Sequence, residues 1–132
     1  MRALIIDDSR AMRSILRKIV TQLGFETDEA GDGQEALDKM RAGLVPDLCL
    51  VDWNMPVMDG YTFITSVRDN PEWRDVTLMM VTTESEQRQI VRALAAGAHE
   101  YVIKPFTPEA IVQKLELLGL KAKFVTPDGA IA

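Results

Sequence analysis

Short apolar runs, each closed by a polar residue, alternate along this chain with stretches whose apolar residues recur at helical spacing. Residues 3–6 form the first run, and Asp7-Asp8 end it. Ser9 is placed to cap the helix that follows. In that helix Ile15, Leu16, Ile19, Val20 and Leu23 are expected on one buried face, and Gly24 stops it. Residues 25–30 are a second, more polar run, expected near a sheet edge. After Asp32-Gly33, residues Ala36, Leu37 and Met40 mark a second helix ending near Gly43. Residues 48–51 are apolar throughout and stop at Asp52, with Pro56 and Asp59-Gly60 beyond. Such a run reads as a strand buried on both faces. A third helix is expected over residues 60–69, carrying Phe63, Ile64 and Val67 and broken by Asn70-Pro71. The fourth run, residues 76–81, leads into Thr82-Thr83. Residues 84–96 read as a fourth helix with Ile90, Val91 and Leu94 on one side and Gly97 at its end. Residues 101–103 are the fifth run, before Lys104-Pro105, and Ile111, Val112, Leu115 and Leu118 mark the last helix.

Strand and helix thus alternate five times with short connections. The pattern predicts an α/β fold: a doubly wound, five-stranded parallel sheet with five helices on its two faces. Right-handed crossovers, with the first, third and fourth runs the most apolar, give a flavodoxin-like strand order of 2-1-3-4-5. In such a sheet every strand's carboxyl end lies on one edge, where ligands bind.

Length and charge narrow the picture. A chain of 132 residues suits one domain with its own core. A net charge of -5 argues against nucleic acid as a partner, since affinity for a phosphate backbone is built from clustered Lys and Arg. The single cysteine, Cys49, lies inside an apolar run and reads as a core residue in a reducing compartment. The apolar start is too short for a signal peptide, and no run approaches the roughly 20 residues of a membrane span. A cytoplasmic protein with no membrane partner is expected.

The polar residues that close the runs carry the chemistry. Asp7 and Asp8, Asp52, Thr82 and Lys104 are expected to meet in one crevice at the carboxyl edge. Clustered carboxylates repel and call for a cation. Mg2+ suits the site, being a hard ion that takes oxygen ligands and works with phosphate. A carboxylate nucleophile beside Mg2+ can accept a phosphoryl group as an aspartyl phosphate. Asp52 would be the nucleophile, Asp7 and Asp8 would hold the metal, and Thr82 and Lys104 would each take a phosphate oxygen. Taken singly, each of these residues is an ordinary cap, turn or loop residue; their joint placement at one sheet edge is what points to a site. His99 follows no ligand spacing and reads as solvated.

The runs Asp52-Trp-Asn-Met-Pro-Val-Met-Asp-Gly60, Met80-Val-Thr-Thr-Glu84 and Tyr101-Val-Ile-Lys-Pro-Phe-Thr107 resemble response-regulator receiver domains, especially stand-alone chemotaxis regulators of the CheY type. The resemblance spans a receiver domain over residues 1–119. It implies a signalling switch, not an enzyme acting on external substrate, that catalyses its own phosphorylation and dephosphorylation. Asp52 would take the phosphoryl group from a histidine kinase. Mg2+ would be held by Asp8, Asp52 and the backbone carbonyl of Asn54, with Asp7 in support. Thr82 would move onto the phosphate, Tyr101 would swing from exposed to buried, and Lys104 would pair with the phosphate next to a cis Lys104-Pro105 bond. Asn54 and Glu84 sit where the family tunes self-dephosphorylation, and Thr83 replaces a usually small residue. The output face would be the fourth helix, fifth strand and fifth helix, including Tyr101 and Lys114. Its target would be a flagellar motor switch component, and a phosphatase is a further expected partner. The strand and helix count leaves no DNA-binding domain. A phosphate sink or a non-motor regulator is the alternative within the family. Outside it stand a Mg2+-dependent phosphohydrolase with an aspartate nucleophile, whose motif spacing Asp7-Asp8 lacks, and a flavin-binding module. Residues 120–132 run past the receiver as a C-terminal tail.

Overall fold

The structure is a computed structural model and describes residues 1–120; the expected tail, from residue 121 on, lies outside the described residues. Five strands, β1 (Arg2–Ile6), β2 (Glu26–Ala30), β3 (Leu48–Val51), β4 (Thr77–Thr82) and β5 (Glu100–Ile103), alternate with five helices. These are α1 (Arg10–Gln22), α2 (Gly33–Arg41), α3 (Gly60–Arg68), α4 (Gln87–Ala96) and α5 (Pro108–Leu117), with a short 3-10 turn at Pro71–Trp73. All strand pairs are parallel, in the order β2-β1-β3-β4-β5. The most polar strand, β2, is at the edge as its composition demands. The fold is the expected one.

Because side chains alternate across a strand, the sheet feeds two cores. Leu4, Ile6, Cys49, Val51, Leu78 and Met80 join α2, α3 and α4 on one face; Ala3, Ile5, Leu48, Leu50, Met79 and Val81 join α1 and α5 on the other. Helix starts follow capping chemistry. The side chains of Ser9, Asp32, Asp59 and Thr107 each accept a backbone N–H from the first turn of α1, α2, α3 and α5. Among the described residues no helix is long and apolar enough to cross a membrane.

Two helical faces differ from expectation. Ile15 is exposed, because α1 buries the arc of Leu16, Ile19, Val20 and Leu23 and Ile15 falls outside it. In α4 only Ala93 is buried. At 3.6 residues per turn, Leu94 points about 100° and Val91 about 160° away from Ala93, and they are 43% and 57% exposed. The helix also starts later than expected, at Gln87 rather than Glu84. Glu84 donates its N–H to Thr82 Oγ1 at 3.2 Å, and Glu86 donates to Glu84 Oε1 at 3.0 Å, so local side-chain bonds replace the first helical turn.

At the amino-terminal edge of the sheet, Arg68 of α3 donates to the carbonyls of Trp73, Arg74, Val76 and Gly97. His99 is exposed, as expected, but it also joins this knot: its Nδ1 accepts the Leu78 N–H at 3.1 Å and faces Arg68 Nη2 at 3.3 Å. Two donors aimed at Nδ1 require a neutral ring with its proton on Nε2. Burial first, then the Arg68 charge, hold His99 below its ordinary value of 6.5. The unfolded chain therefore binds this proton more readily, and stability falls as pH drops through 6.5 toward the lower folded value. Urea midpoints should decline over that window in the wild type and decline less in His99→Asn, whose amide oxygen keeps an acceptor for Leu78 but does not titrate. Equal declines would exclude His99 as the group responsible.

Candidate functional site

The parallel ladder extends one step past the strands and sets the site abreast. Asp7 N–H donates to Ala30 O at 3.1 Å, Asp52 N–H to Ile6 O at 3.0 Å, and Lys104 N–H to Thr82 O at 2.8 Å. Asp7, Asp52 and Thr82 are the buried polar residues of the described chain, and all three lie at this edge.

Their side chains converge. Lys104 Nζ is 2.8 Å from Asp7 Oδ2 and 3.7 Å from Asp52 Oδ2, with the lysine side chain 12% exposed. The other Asp7 oxygen accepts the Ser9 N–H at 2.8 Å, fixing the turn between β1 and α1. Asp8 is exposed, and one carboxylate oxygen each from Asp7, Asp8 and Asp52 lie within 4.8 Å of one another. Burial pushes the Asp52 carboxyl above its usual range; the Thr82 hydroxyl, Lys104 and the Trp53 N–H pull it down, while Asp7 adds repulsion. Three carboxylates against one ammonium leave the cluster short of positive charge. All its donors are hard oxygens, so the residues present fit Mg2+. No backbone hydrogen bond among the described residues ends on the exposed Asn54 carbonyl, which leaves that oxygen available as well. The Lys104-Pro105 bond is cis, as expected. A surface cavity of about 830 Å³, lined by Ile19 of α1, Leu23 just beyond it and Val112 of α5, is elsewhere and takes no part in this chemistry.

The chain matches the family described as response regulator receiver domain over residues 3–116. It belongs to that family. The chemotaxis protein CheY1 of Helicobacter pylori is 37% identical over 119 residues, covering 89% of this chain and 96% of that protein. The chemotaxis protein CheY of Pseudomonas aeruginosa is 39% identical over 117 residues, covering 88% of this chain and 94% of that one. The solved structure of Vibrio cholerae chemotaxis protein CheY4 superposes with a TM-score of 0.81 at 33% identity, covering 88% of this chain and 96% of its own.

In this receiver the Glu84 backbone links two of the predicted switch residues. Its N–H donates to Thr82 Oγ1 and its carbonyl accepts the Tyr101 hydroxyl at 2.7 Å. Tyr101 is 8% exposed, so the exposed starting position expected before phosphorylation is not the one the structure describes: the ring is already inward, held by that hydroxyl bond. Burial, then the charges of Glu84 and Asp52, push its phenol up to about 12, so it stays a donor. Thr83 is exposed, and the Glu84 carboxylate is engaged by the Glu86 N–H. Lys114 is paired with Glu100 at 3.1 Å beside β5. Val91, Leu94 and Ile103, the last 42% exposed, add apolar surface on α4 and β5.

Sequence reasoning missed Gly60, Tyr61 and Arg92. Gly60 N–H donates to Trp53 O at 2.9 Å, which docks the start of α3 on the acceptor loop. The Tyr61 ring lies 5.8 Å from that of Trp53, and the Arg92 guanidinium lies over Tyr61 at 4.2 Å. The close approach at Gly60 was readable from the Asp-Gly step; the aromatic and cationic contacts join separate helices and leave no local pattern.

Proposed function

We propose that this receiver is a phosphorylation-dependent switch in chemotaxis signalling, with Asp52 as the acceptor. The observation that carries the reading is Lys104 Nζ set between the Asp7 and Asp52 carboxylates, at 2.8 and 3.7 Å. An Asp52 carboxylate oxygen attacks the phosphorus of a kinase phosphohistidine. The P–N bond breaks, and its electron pair leaves with the imidazole. Asp8, Asp52 and the Asn54 carbonyl would hold Mg2+, with Asp7 beside them. When bound, the ion neutralises the crowded carboxylates and the transferred charge. Lys104 and Thr82 bind phosphoryl oxygens, and Asn54 and Glu84, with Thr83 at the rim, set the lifetime of the phosphoryl group.

Transmission runs through Thr82 and Tyr101. A hydrogen bond to a charged group contributes about 1.5–3 kcal/mol, comparable to the roughly 1–3 kcal/mol of an allosteric coupling. Thr82 held on a phosphoryl group therefore has enough energy to shift the balance further toward the inward Tyr101, the position the ring already takes here. The output face is α4, β5 and α5, where Val91, Leu94 and Ile103 offer an apolar strip near Lys114. Histidine kinase, phosphatase and a flagellar motor switch component are the partners, placing the protein in the cytoplasm.

The assignment is tested by incubating the protein with acetyl phosphate and Mg2+ and mapping the product: one phosphoryl group on Asp52 is expected. Phosphoryl transfer to another side chain, or none, overturns it. Lys104→Met should fold and bind Mg2+ at least as tightly as wild type, since the ammonium competes with the ion for Asp7 and Asp52. It should nonetheless lose the phosphorylation-dependent gain in target affinity. Mg2+ titrations and pull-downs with and without donor separate the two effects. Weaker Mg2+ binding would count against competition by the lysine.

A further inference from the structure

The contacts between α3 and α4 hold an element that none of the switch residues uses. Trp53 directly follows the acceptor, and its N–H supports the Asp52 carboxylate. Its indole is tilted 47° against the ring of Tyr61, at 5.8 Å between centroids. Tyr61 also meets Arg92, whose guanidinium lies over the ring, 4.2 Å from its centroid. Arg92 is further held by Gln89, its Nη1 donating to Oε1 at 3.0 Å. A chain of side-chain contacts therefore runs from the residue beside Asp52, through the first turn of α3, to the middle of α4.

We propose that Tyr61 and Arg92 are positioning residues that hold α4 against the acceptor loop and carry the state of Asp52 to the output helix, alongside the route through Thr82 and Tyr101. The proposal rests on the switch reading above. Its weight comes from the shallow seating of α4, where Ile90 and Ala96 pack against the core while staying partly exposed. The helix buries only Ala93 completely, and its first turn lacks a side-chain cap. An element with few buried contacts has a low free energy of local opening, so one added contact shifts its position strongly. A cation over an aromatic ring is attracted by the ring's electron-rich face even at a half-exposed site. The inner end is the rigid one. Gly60, beside Tyr61, packs directly on the Asp52 and Trp53 backbone, so a displacement of the acceptor loop reaches Tyr61 through the main chain. Val91 and Leu94 flank Arg92 on the exposed side of α4. Holding the arginine over Tyr61 therefore also fixes which way that apolar strip faces.

The test uses the full chain, wild type, Arg92→Gln, Tyr61→Leu and Tyr61→Phe, with Mg2+ and beryllofluoride as the phosphoryl mimic. Trp53 fluorescence reports occupancy of the Asp52 site, and amide hydrogen exchange reports α4. Arg92→Gln and Tyr61→Leu should bind Mg2+ and beryllofluoride with midpoints near wild type. Their α4 amides should exchange about two- to fivefold faster, and the exchange change caused by beryllofluoride should shrink. Tyr61→Phe keeps the ring and should restore both. Wild-type exchange in α4 of Arg92→Gln and Tyr61→Leu, or a Tyr61→Phe that behaves as Tyr61→Leu, overturns the proposal. If wild-type Trp53 ignores beryllofluoride, the switch reading fails, and the mimic-free comparison of α4 exchange still decides whether these contacts anchor the helix.

Discussion

Asp52→Asn should abolish the Trp53 fluorescence response to beryllofluoride at concentrations that saturate the wild type. The Trp53 side chain is buried next to the acceptor, and the Trp53 backbone N–H supports the Asp52 carboxylate, so a group added to that carboxylate alters the surroundings of Trp53. Asparagine keeps the shape and one acceptor oxygen but has no anionic oxygen to bond beryllium or phosphorus. It also takes one carboxylate from the three that lie within 4.8 Å, so the response to Mg2+ should weaken. Loss of the response will not reflect unfolding. Burial holds the Asp52 carboxyl above its usual range, so the folded state binds the proton more tightly than the unfolded one. Stability then falls as pH rises between the ordinary and the raised value, and at neutral pH the buried charge is a net cost. Asp52→Asn removes that cost, and Lys104 keeps its 2.8 Å bond to Asp7. In metal-free buffer the variant should melt no lower than wild type. Added Mg2+ should raise the wild-type midpoint more, because a ligand stabilises only the state that holds it. A donor response of equal size in both proteins would remove Asp52 from the mechanism.

The fold and the centre of the site were legible for one reason. In a parallel sheet the residue that closes each apolar run is forced onto a common edge, so reading run ends reads the site. Asp7, Asp52, Thr82 and Lys104 met because backbone pairing continues one residue past the strands. Faces of helices were less legible. Val91, Leu94 and Ile15 are apolar at helical spacing, and periodicity cannot distinguish a side chain that packs on the sheet from one that awaits a partner. On α4 that misreading has content: apolar residues left exposed beside β5 are what a docking face requires. Contacts made across the fold left no local mark. His99 became a structural acceptor only because β4 begins at its Nδ1, and Arg92 met Tyr61 only once α3 and α4 were adjacent. Val57, a β-branched residue at φ 67° in the acceptor loop, contradicts local preference outright.

The largest loss of stability from a single methyl group is expected at Gly60. A Cβ there would stand 2.3 Å from Asp52 O, 3.0 Å from Trp53 Cα and 3.1 Å from Asp52 C. All three are backbone atoms of the acceptor loop, so no side chain can rotate away to make room. The glycine is needed for space and not for a left-handed backbone, since its φ is not among the positive ones. Alanine would gain up to about 1 kcal/mol in helix propensity. Overpacking typically costs about 1–3 kcal/mol, and against fixed backbone the upper end, about 3 kcal/mol, is expected, so the steric term wins. For a domain of this size each kcal/mol lowers the melting temperature by about 4 °C, so a net loss of about 2 kcal/mol should make Gly60→Ala melt about 8 °C below wild type. Gly31→Ala is the control: its Cβ would meet only side-chain atoms, at 3.4 and 3.8 Å, and its melting should barely change. Relief of the clash must separate α3 from the Asp52 backbone, breaking the 2.9 Å bond from Gly60 N–H to Trp53 O. Gly60→Ala should therefore also weaken Mg2+ binding, although it alters none of the ligands. If it melts with wild type and binds Mg2+ normally, α3 does not brace the acceptor, and a link from Asp52 through Tyr61 to α4 loses its rigid end.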